Sequence, residues 1–252
     1  MCYKDDLWVV QKIFNLSDQA LIRMVNHLFR TEYGDGEDVR KEWNEHGVIC
    51  IWLTIGCANR YEFQIRRMDG LLQIYAEDRG CVFHYVDAAE HSVVQIREPQ
   101  IIYFGGNAKE EFFTTLEFPG NERITLPIHT ITLADYSVRQ LEESGLILFL
   151  PFLFYCFAAQ SEESEAKQES LKYFVIHDIV GILHASMKKG DLTAFDTQSL
   201  KQLCRRMVWK LLIREKWMQN LELQELILDA LEADLEFLER VCRIEFQKAQ
   251  NK

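Results

Sequence analysis

The stretch RYEFQIRR at residues 60–67 constrains this chain more than any other. Tyr61, Phe63 and Ile65 alternate with Arg60, Glu62, Gln64 and Arg66. A period of two puts the first set on one side of a strand and the second set on the other, so the spacing predicts a strand with one buried and one polar face. Just upstream, GVICIWLTIG (47–56) is rich in β-branched and aromatic types, which predicts a strand buried on both faces. The short Cys57-Ala58-Asn59 turn joins the two. A sheet built around this pair is the expected centre of the fold.

The flanking segments supply further elements. Residues 1–30 read as helical. Ser17 is a plausible N-cap, and Leu21, Val25, Leu28 and Phe29 share one helical face. Tyr33-Gly34-Asp35-Gly36 reads as a turn. Asp69 and Gly70 are expected to open a helix carrying Leu71, Leu72 and Tyr75. Short strands are expected at Ile101–Phe104 and Ile128–Leu133. A hairpin is expected from Phe112–Phe118 and Arg123–Leu126 around Pro119-Gly120-Asn121.

After Asp135 the pattern is helical. Leu146–Ala159 is uncharged over 14 residues, short of the ~20 that a membrane-spanning helix needs, so a buried core helix is expected and no membrane segment. Residues 161–170 carry four glutamates against one lysine and read as a solvated linker. Two amphipathic helices are expected beyond it. Leu171, Phe174, Val175, Ile179, Ile182 and Leu183 form one stripe. Leu200, Leu203, Cys204, Met207, Val208, Leu211 and Leu212 form the other. A long charged helix over 221–248 is expected to follow.

Composition narrows the function classes. The formal charge of −11 argues against tight non-specific nucleic-acid binding but leaves room for a local basic cleft. Seven scattered cysteines without a CxxC pair fit a reducing cytoplasm. Cys81 and His84 make a lone C-x-x-H, too little for zinc. His177 and His184 read as exposed. Asp35, Glu37 and Asp38 lack the series of a calcium loop, and no Walker loop, dinucleotide turn or GxSxG elbow occurs.

Glu62 and Gln64 are two apart on a strand, so their side chains point the same way. A carboxylate beside a polar group on a rigid strand can hold Mg²⁺ and position water against a phosphodiester. The same spacing also occurs on ordinary solvent faces. The order of the blocks adds to it: helix, strand, E-x-Q strand, GLLQIYAEDRG (70–80), IIYF (101–104), TTLEFPGNERITLPIHTITLADYS (114–137) and SGLILFLPFLFY (144–155). In these blocks, over roughly 48–157, the chain resembles the PD-(D/E)XK nuclease superfamily, in its bacterial recombination-promoting nuclease or transposase-like branch.

The resemblance implies an α/β (α+β) fold with a restriction-endonuclease-like central mixed sheet, flanking helices and a helical C-terminal region. Its parts would be a nuclease-like core at 1–135, apolar packing helices at 136–160 and a helical region at 161–252. It implies a Mg²⁺-dependent DNA endonuclease with Glu62 as metal-binding carboxylate, Gln64 at the position of the family's lysine or glutamine, and Gln73 as a polar residue directed to the site from the following helix. A bland reading of Gln73, an exposed helix polar, stands beside it.

The family expects an aspartate on the strand before E-x-Q. Here VICIWLTI has no acid, and Glu42, Glu45 and Asp69 are the nearest. Two other readings stay open, the first motivated by this missing acid and the second by the acidic net charge and the long last helix. One is a catalytically inactive relative acting as a DNA- or protein-binding module, and the other is a helical interaction protein that self-associates through 161–250. Lys201, Arg205, Arg206, Lys210 and Arg214 form a basic row on the second C-terminal helix. It can contact DNA phosphates or balance the acids of 221–239.

Overall fold

The structure is a computed structural model. It describes residues 3–44, 48–57, 59–68, 71–79, 82–85, 92–95, 99–104, 112–117, 120–155, 165–214 and 221–232. The fold is mixed α and β, and the chain divides into two compact units, 21–135 and 1–20 with 136–252. The first twenty residues, read from sequence as part of the nuclease-like core, thus cluster with the C-terminal helices.

Helix α2 (Asp18–Phe29), which lies in the unit 21–135 from Leu21 onward, leads into the sheet. Its N-cap is Ser17, whose hydroxyl accepts from the Ala20 amide at 3.3 Å. Beyond α2 the chain turns through Arg30 at φ 52°. The Asn26 side chain fixes that exit: its amide donates to the Tyr33 carbonyl, and its oxygen accepts from the Thr31 hydroxyl and the Tyr33 amide, all at 2.9 Å.

Then come β1 (Val39–Asn44), β2 (Ile49–Ile55), β3 (Asn59–Met68), β4 (Leu71–Asp78), β5 (Val82–Tyr85), β6 (Ser92–Gln95), β7 (Gln100–Tyr103), β8 (Phe112–Glu117) and β9 (Arg123–Thr132). Seven of them form one sheet in the order β1-β2-β3-β4-β7-β9-β8, and β5 pairs with β6. All neighbours in the large sheet are antiparallel except β7 and β9.

Alternation explains the sheet. Ile51, Leu53, Ile55, Tyr61, Phe63, Ile65, Leu72, Ile74, Ala76, Ile102 and Ile131 are buried and share one face by register. Within this unit the Phe29 ring packs against Tyr61 and Phe63, with centroids 4.8 and 6.3 Å away. Tyr33 and Tyr61 join their hydroxyls at 2.7 Å. Each fully buried large apolar side chain stabilises by roughly 1.5–3 kcal/mol, so this face fixes the register. The opposite face then presents Glu62 and its neighbours.

Several expectations change. Residues 71–78 are strand β4, not a helix. Leu72, Ile74 and Ala76 bury on one face while Gln73, Tyr75 and Glu77 line the other, and this period of two outweighs the Leu71-Leu72/Tyr75 pattern that suggested a helix. Among the described residues no helix lies between β1 and β9, so the expected helix between strands is absent there. Strand β2 is buried on one face only; Cys50, Trp52 and Thr54 are half-buried. The expected strands at 123–126 and 128–133 are one strand, β9, running through Pro127.

In the other unit, the α-helices among the described residues include α1 (Tyr3–Ile13), α3 (Val138–Glu143), α4 (Glu165–Tyr173), α5 (Gly181–Lys189), α6 (Ala194–Arg214) and α7 (Leu221–Glu232). Ile147–Phe152 is a buried 3₁₀ helix around Pro151 rather than part of one α-helix. Phe174–Val180 is a π-helical segment linking α4 to α5, and α4 begins at Glu165, inside the expected linker. The charged helix expected to 248 is described as far as Glu232. His177 and His184 are half-buried, and the His177 ring lies 4.6 Å from that of Tyr173. No helix is long and apolar enough to cross a membrane among the described residues.

Asp196 ties this unit together. Fully buried, it accepts from the Ser17 amide and hydroxyl at 2.7 and 2.6 Å and from the Thr193 amide and hydroxyl at 3.0 and 2.7 Å. The Thr193 hydroxyl accepts in return from the Asp196 amide at 3.1 Å, a reciprocal cap at the start of α6.

Candidate functional site

Strand β3 lies between β2 and β4, so Glu62 has neighbours on both sides. On the polar face the register lines up Glu42 of β1, Trp52 of β2, Glu62 of β3 and Glu77 of β4 in one row. The next row holds Cys50, Gln64 and Tyr75, and the one after it Arg66 and Gln73. Strand periodicity thus gathers Glu62, Gln64 and Gln73 on one face, as expected of the first two. Gln73 arrives from a strand, not a helix, and is buried rather than exposed.

Glu62 is buried, with 8% of its surface exposed, yet it carries several donors. Its Oε1 accepts from Gln64 Nε2 at 2.7 Å, and its Oε2 accepts from Arg79 Nε at 2.8 Å. The Trp52 side chain also hydrogen-bonds to it. Burial alone pushes the Glu62 carboxyl up, but the hydrogen bonds from Gln64, Arg79 and Trp52 outweigh it and hold the pKa below the ordinary glutamate value.

Arg79 also reaches Glu77, Nη2 to Oε2 at 3.3 Å. Its backbone amide donates to the Arg60 carbonyl at 2.8 Å, which extends the β3–β4 ladder by one residue and sets the guanidinium over the polar face. Glu77 is pushed up, first by burial and then by the Glu62 charge, although Arg79 pulls the other way. Two facing carboxylates are therefore driven in opposite directions. That arrangement separates an ionised group from one more easily protonated.

Further cations surround the pair. Arg66 donates to Gln64 Oε1, and its guanidinium lies 4.8 Å above the Tyr75 ring. Arg60 lies 5.2 Å above the Trp52 ring and bonds Glu42 at 3.2 Å. Burial pushes the Tyr75 phenol up. Burial and then Glu62 do the same to the Cys50 thiol.

Sequence reasoning missed Glu77, Arg79 and Trp52. The available signal was the alternation in LLQIYAED: read as a strand, it sets Gln73, Tyr75 and Glu77 on one face. The strand before E-x-Q places Trp52, not an acid, opposite Glu62. Glu42 lies two strands away, paired with Arg60. Glu45, Asp69 and Cys81 lie outside the described residues.

The basic row on α6 is engaged within its own unit. Arg205 pairs with Glu232 of α7. Arg206 lies 4.2 Å above the Trp8 ring of α1. Lys210 Nζ is 3.0 Å from Asp6, which also accepts from the Tyr155 hydroxyl. Lys201, expected on the same exposed row, is buried at 3% exposure. The side chain of Arg214 lies outside the described residues.

No group of three or more His, Cys, Asp or Glu side chains is placed to hold a metal ion among the described residues. The oxygen donors that could be shared here are the carboxylates of Glu62 and Glu77, since Gln64 turns its amide nitrogen to Glu62 and its oxygen to Arg66. These hard oxygens suit Mg²⁺, which commonly binds through one or two carboxylates and completes its shell with water and substrate phosphate. The chain matches no protein-family model, no curated protein and no solved structure.

Proposed function

We propose that this chain is a DNA-directed protein of the PD-(D/E)XK kind, in the recombination-promoting nuclease or transposase-like branch, and that it cleaves phosphodiesters with Mg²⁺ at Glu62. The observation supporting this reading is the pairing of Glu62 with a second carboxylate, Glu77, on the adjacent strand, with Gln64 bonded to Glu62 and arginines around it. Glu62 and Glu77 would hold the ion. Bound there, Mg²⁺ supplies a Lewis acid for a phosphoryl oxygen and an acidified water. Gln64 holds the Glu62 carboxylate in place through its amide nitrogen while Arg66 holds the amide oxygen. Arg66 and Arg60 suit phosphate contacts, since guanidinium groups recognise phosphate through paired hydrogen bonds.

A second reading has its own support. The strand expected to carry the family's acid sets Trp52 opposite Glu62 instead, and Arg79 already pairs with both glutamates. A catalytically inactive relative that binds DNA or protein would look like this.

A plasmid-nicking assay with Mg²⁺ or Mn²⁺, run beside Glu62→Ala and an EDTA control, separates the two. The nuclease reading expects metal-dependent nicking by the native chain that falls at least about a hundredfold in the variant. Native protein that nicks no faster than the EDTA control, while still folded, would remove it and leave the second reading.

A further inference from the structure

We propose that the outer face formed by α1, α6 and α7 is a dimer surface, on which two copies of this chain meet about a two-fold axis running along α6.

The centre of that face comes from helical spacing. Phe195, Gln202 and Trp209 recur every seven residues along α6, so they stand two turns apart on one side of the helix. The other side is buried in its own unit through Leu200, Cys204, Met207 and Val208. On the outer ridge Phe195 is 65% exposed and Trp209 is 49% exposed, and Gln202 between them is exposed as well. Aromatic side chains of this size are the usual anchors of protein interfaces.

The flanks of the ridge select the partner. Arg205 and Arg206 point about 100° apart around α6 and reach to different helices. Arg206 lies over the Trp8 ring of α1, and Lys12 lies over the same ring. Both cations are exposed, which makes the α1 flank basic. Arg205 instead pairs with Glu232 of α7. Glu225, Asp229 and Glu232 are spaced by four and three, so they share that side of α7, and all three are exposed. This flank is acidic. A ridge with one basic and one acidic flank is complementary to itself: a half-turn about an axis along the ridge lays each basic flank on the partner's acidic one. A partner of uniform charge, nucleic acid included, is repelled by one flank.

The size is sufficient. Helix α6 has 21 residues, which makes it about 31 Å long at 1.5 Å per residue. Packed helices lie about 8–10 Å apart, so three abreast are about 20 Å wide. The face therefore offers on the order of 600 Å² per copy, at the low end of specific interfaces. Such a dimer is weak and salt-sensitive.

Sedimentation equilibrium on the full chain over about 1–100 µM tests it. The native chain is expected to show a reversible monomer–dimer equilibrium that weakens at least about tenfold between ~0.1 and ~1 M salt. An acidic variant, Lys12→Glu with Arg206→Glu, and a basic variant, Glu225→Lys with Asp229→Lys, are each expected to stay monomeric over that range, because like charges then meet on both flanks. Mixed in equal amounts, the two variants are expected to pair with each other at least as tightly as the native chain pairs with itself. A native chain that is monomeric throughout overturns the proposal. So does a variant that dimerises alone as tightly as the native chain, and so do two variants, each folded by circular dichroism, that fail to pair on mixing.

Discussion

Asp196→Ala is expected to be among the most damaging single changes outside the sheet. The carboxylate accepts four hydrogen bonds of 2.6–3.0 Å, two from Ser17 and two from Thr193, and Ser17 lies 179 positions away. The two hydroxyls can turn to other acceptors, but the two backbone amides cannot. A buried donor left unsatisfied costs roughly 1–3 kcal/mol, and loss of a helix cap costs about 0.5–2 kcal/mol. Ser17 and Thr193 are half-buried, so water recovers part of this, and the net loss is about 3 kcal/mol. Total stability in such proteins is about 5–15 kcal/mol. Urea unfolding followed by far-ultraviolet circular dichroism measures it: with a slope near 2 kcal/mol per molar, the midpoint falls by about 1.5 M. Asp196→Asn keeps one acceptor oxygen and should lose about half as much. A midpoint within about 0.3 M of native for Asp196→Ala, or an Asn variant as unstable as the Ala variant, would refute the reasoning.

Three further outcomes follow. Glu62 is held below its ordinary pKa, so it contributes stability above the unfolded-state value that is lost as pH falls through its folded value. Glu77 is held above its own, so its contribution is present at low pH and lost as pH rises. Glu62→Gln should therefore flatten the acid limb of the Tm–pH curve and Glu77→Gln steepen it; equal curves would contradict the opposed shifts. Tyr155→Phe removes a donor to the buried Asp6 carboxylate and should cost about 1.5–3 kcal/mol in urea unfolding, whereas a loss below the error of the fit would show the contact to be idle. If the helical region carries self-association, the exposed Phe195 and Trp209 are its natural anchors; changing both to Glu then lowers the light-scattering mass of the full chain, and an unchanged mass removes that surface.

What the sequence could disclose followed from neighbours in one dimension. Tyr61, Phe63 and Ile65 against Glu62 and Gln64 announced β3, and Ser17 announced the start of α2, because both signals lie within a few residues. Strand β4 was obscured: Leu71-Leu72 and Ile74-Tyr75 imitate a helical face, and the alternation of Gln73, Tyr75 and Glu77 gains meaning only beside β3. The partners of Glu62 were illegible for the same reason. Arg79 and Trp52 meet it through register, which no local pattern encodes. Lys201 looked like part of an exposed row until packing buried it, and the bond from Ser17 to Asp196 spans most of the chain.

The parallel contact between β7 and β9 has a kinetic consequence. Gln100 stands opposite His129 and Tyr103 opposite Thr132, so these strands come together only after a long excursion that includes β8. Closing such a loop is entropically dearer than folding one strand back on its predecessor, and non-local pairing slows folding. The meander from β1 to β4 should acquire protection against hydrogen exchange first, with Ile101 and Ile102 joining it late. Nascent chains would thus complete the strands bearing Glu62 and Glu77 while the far edge of their sheet is still open.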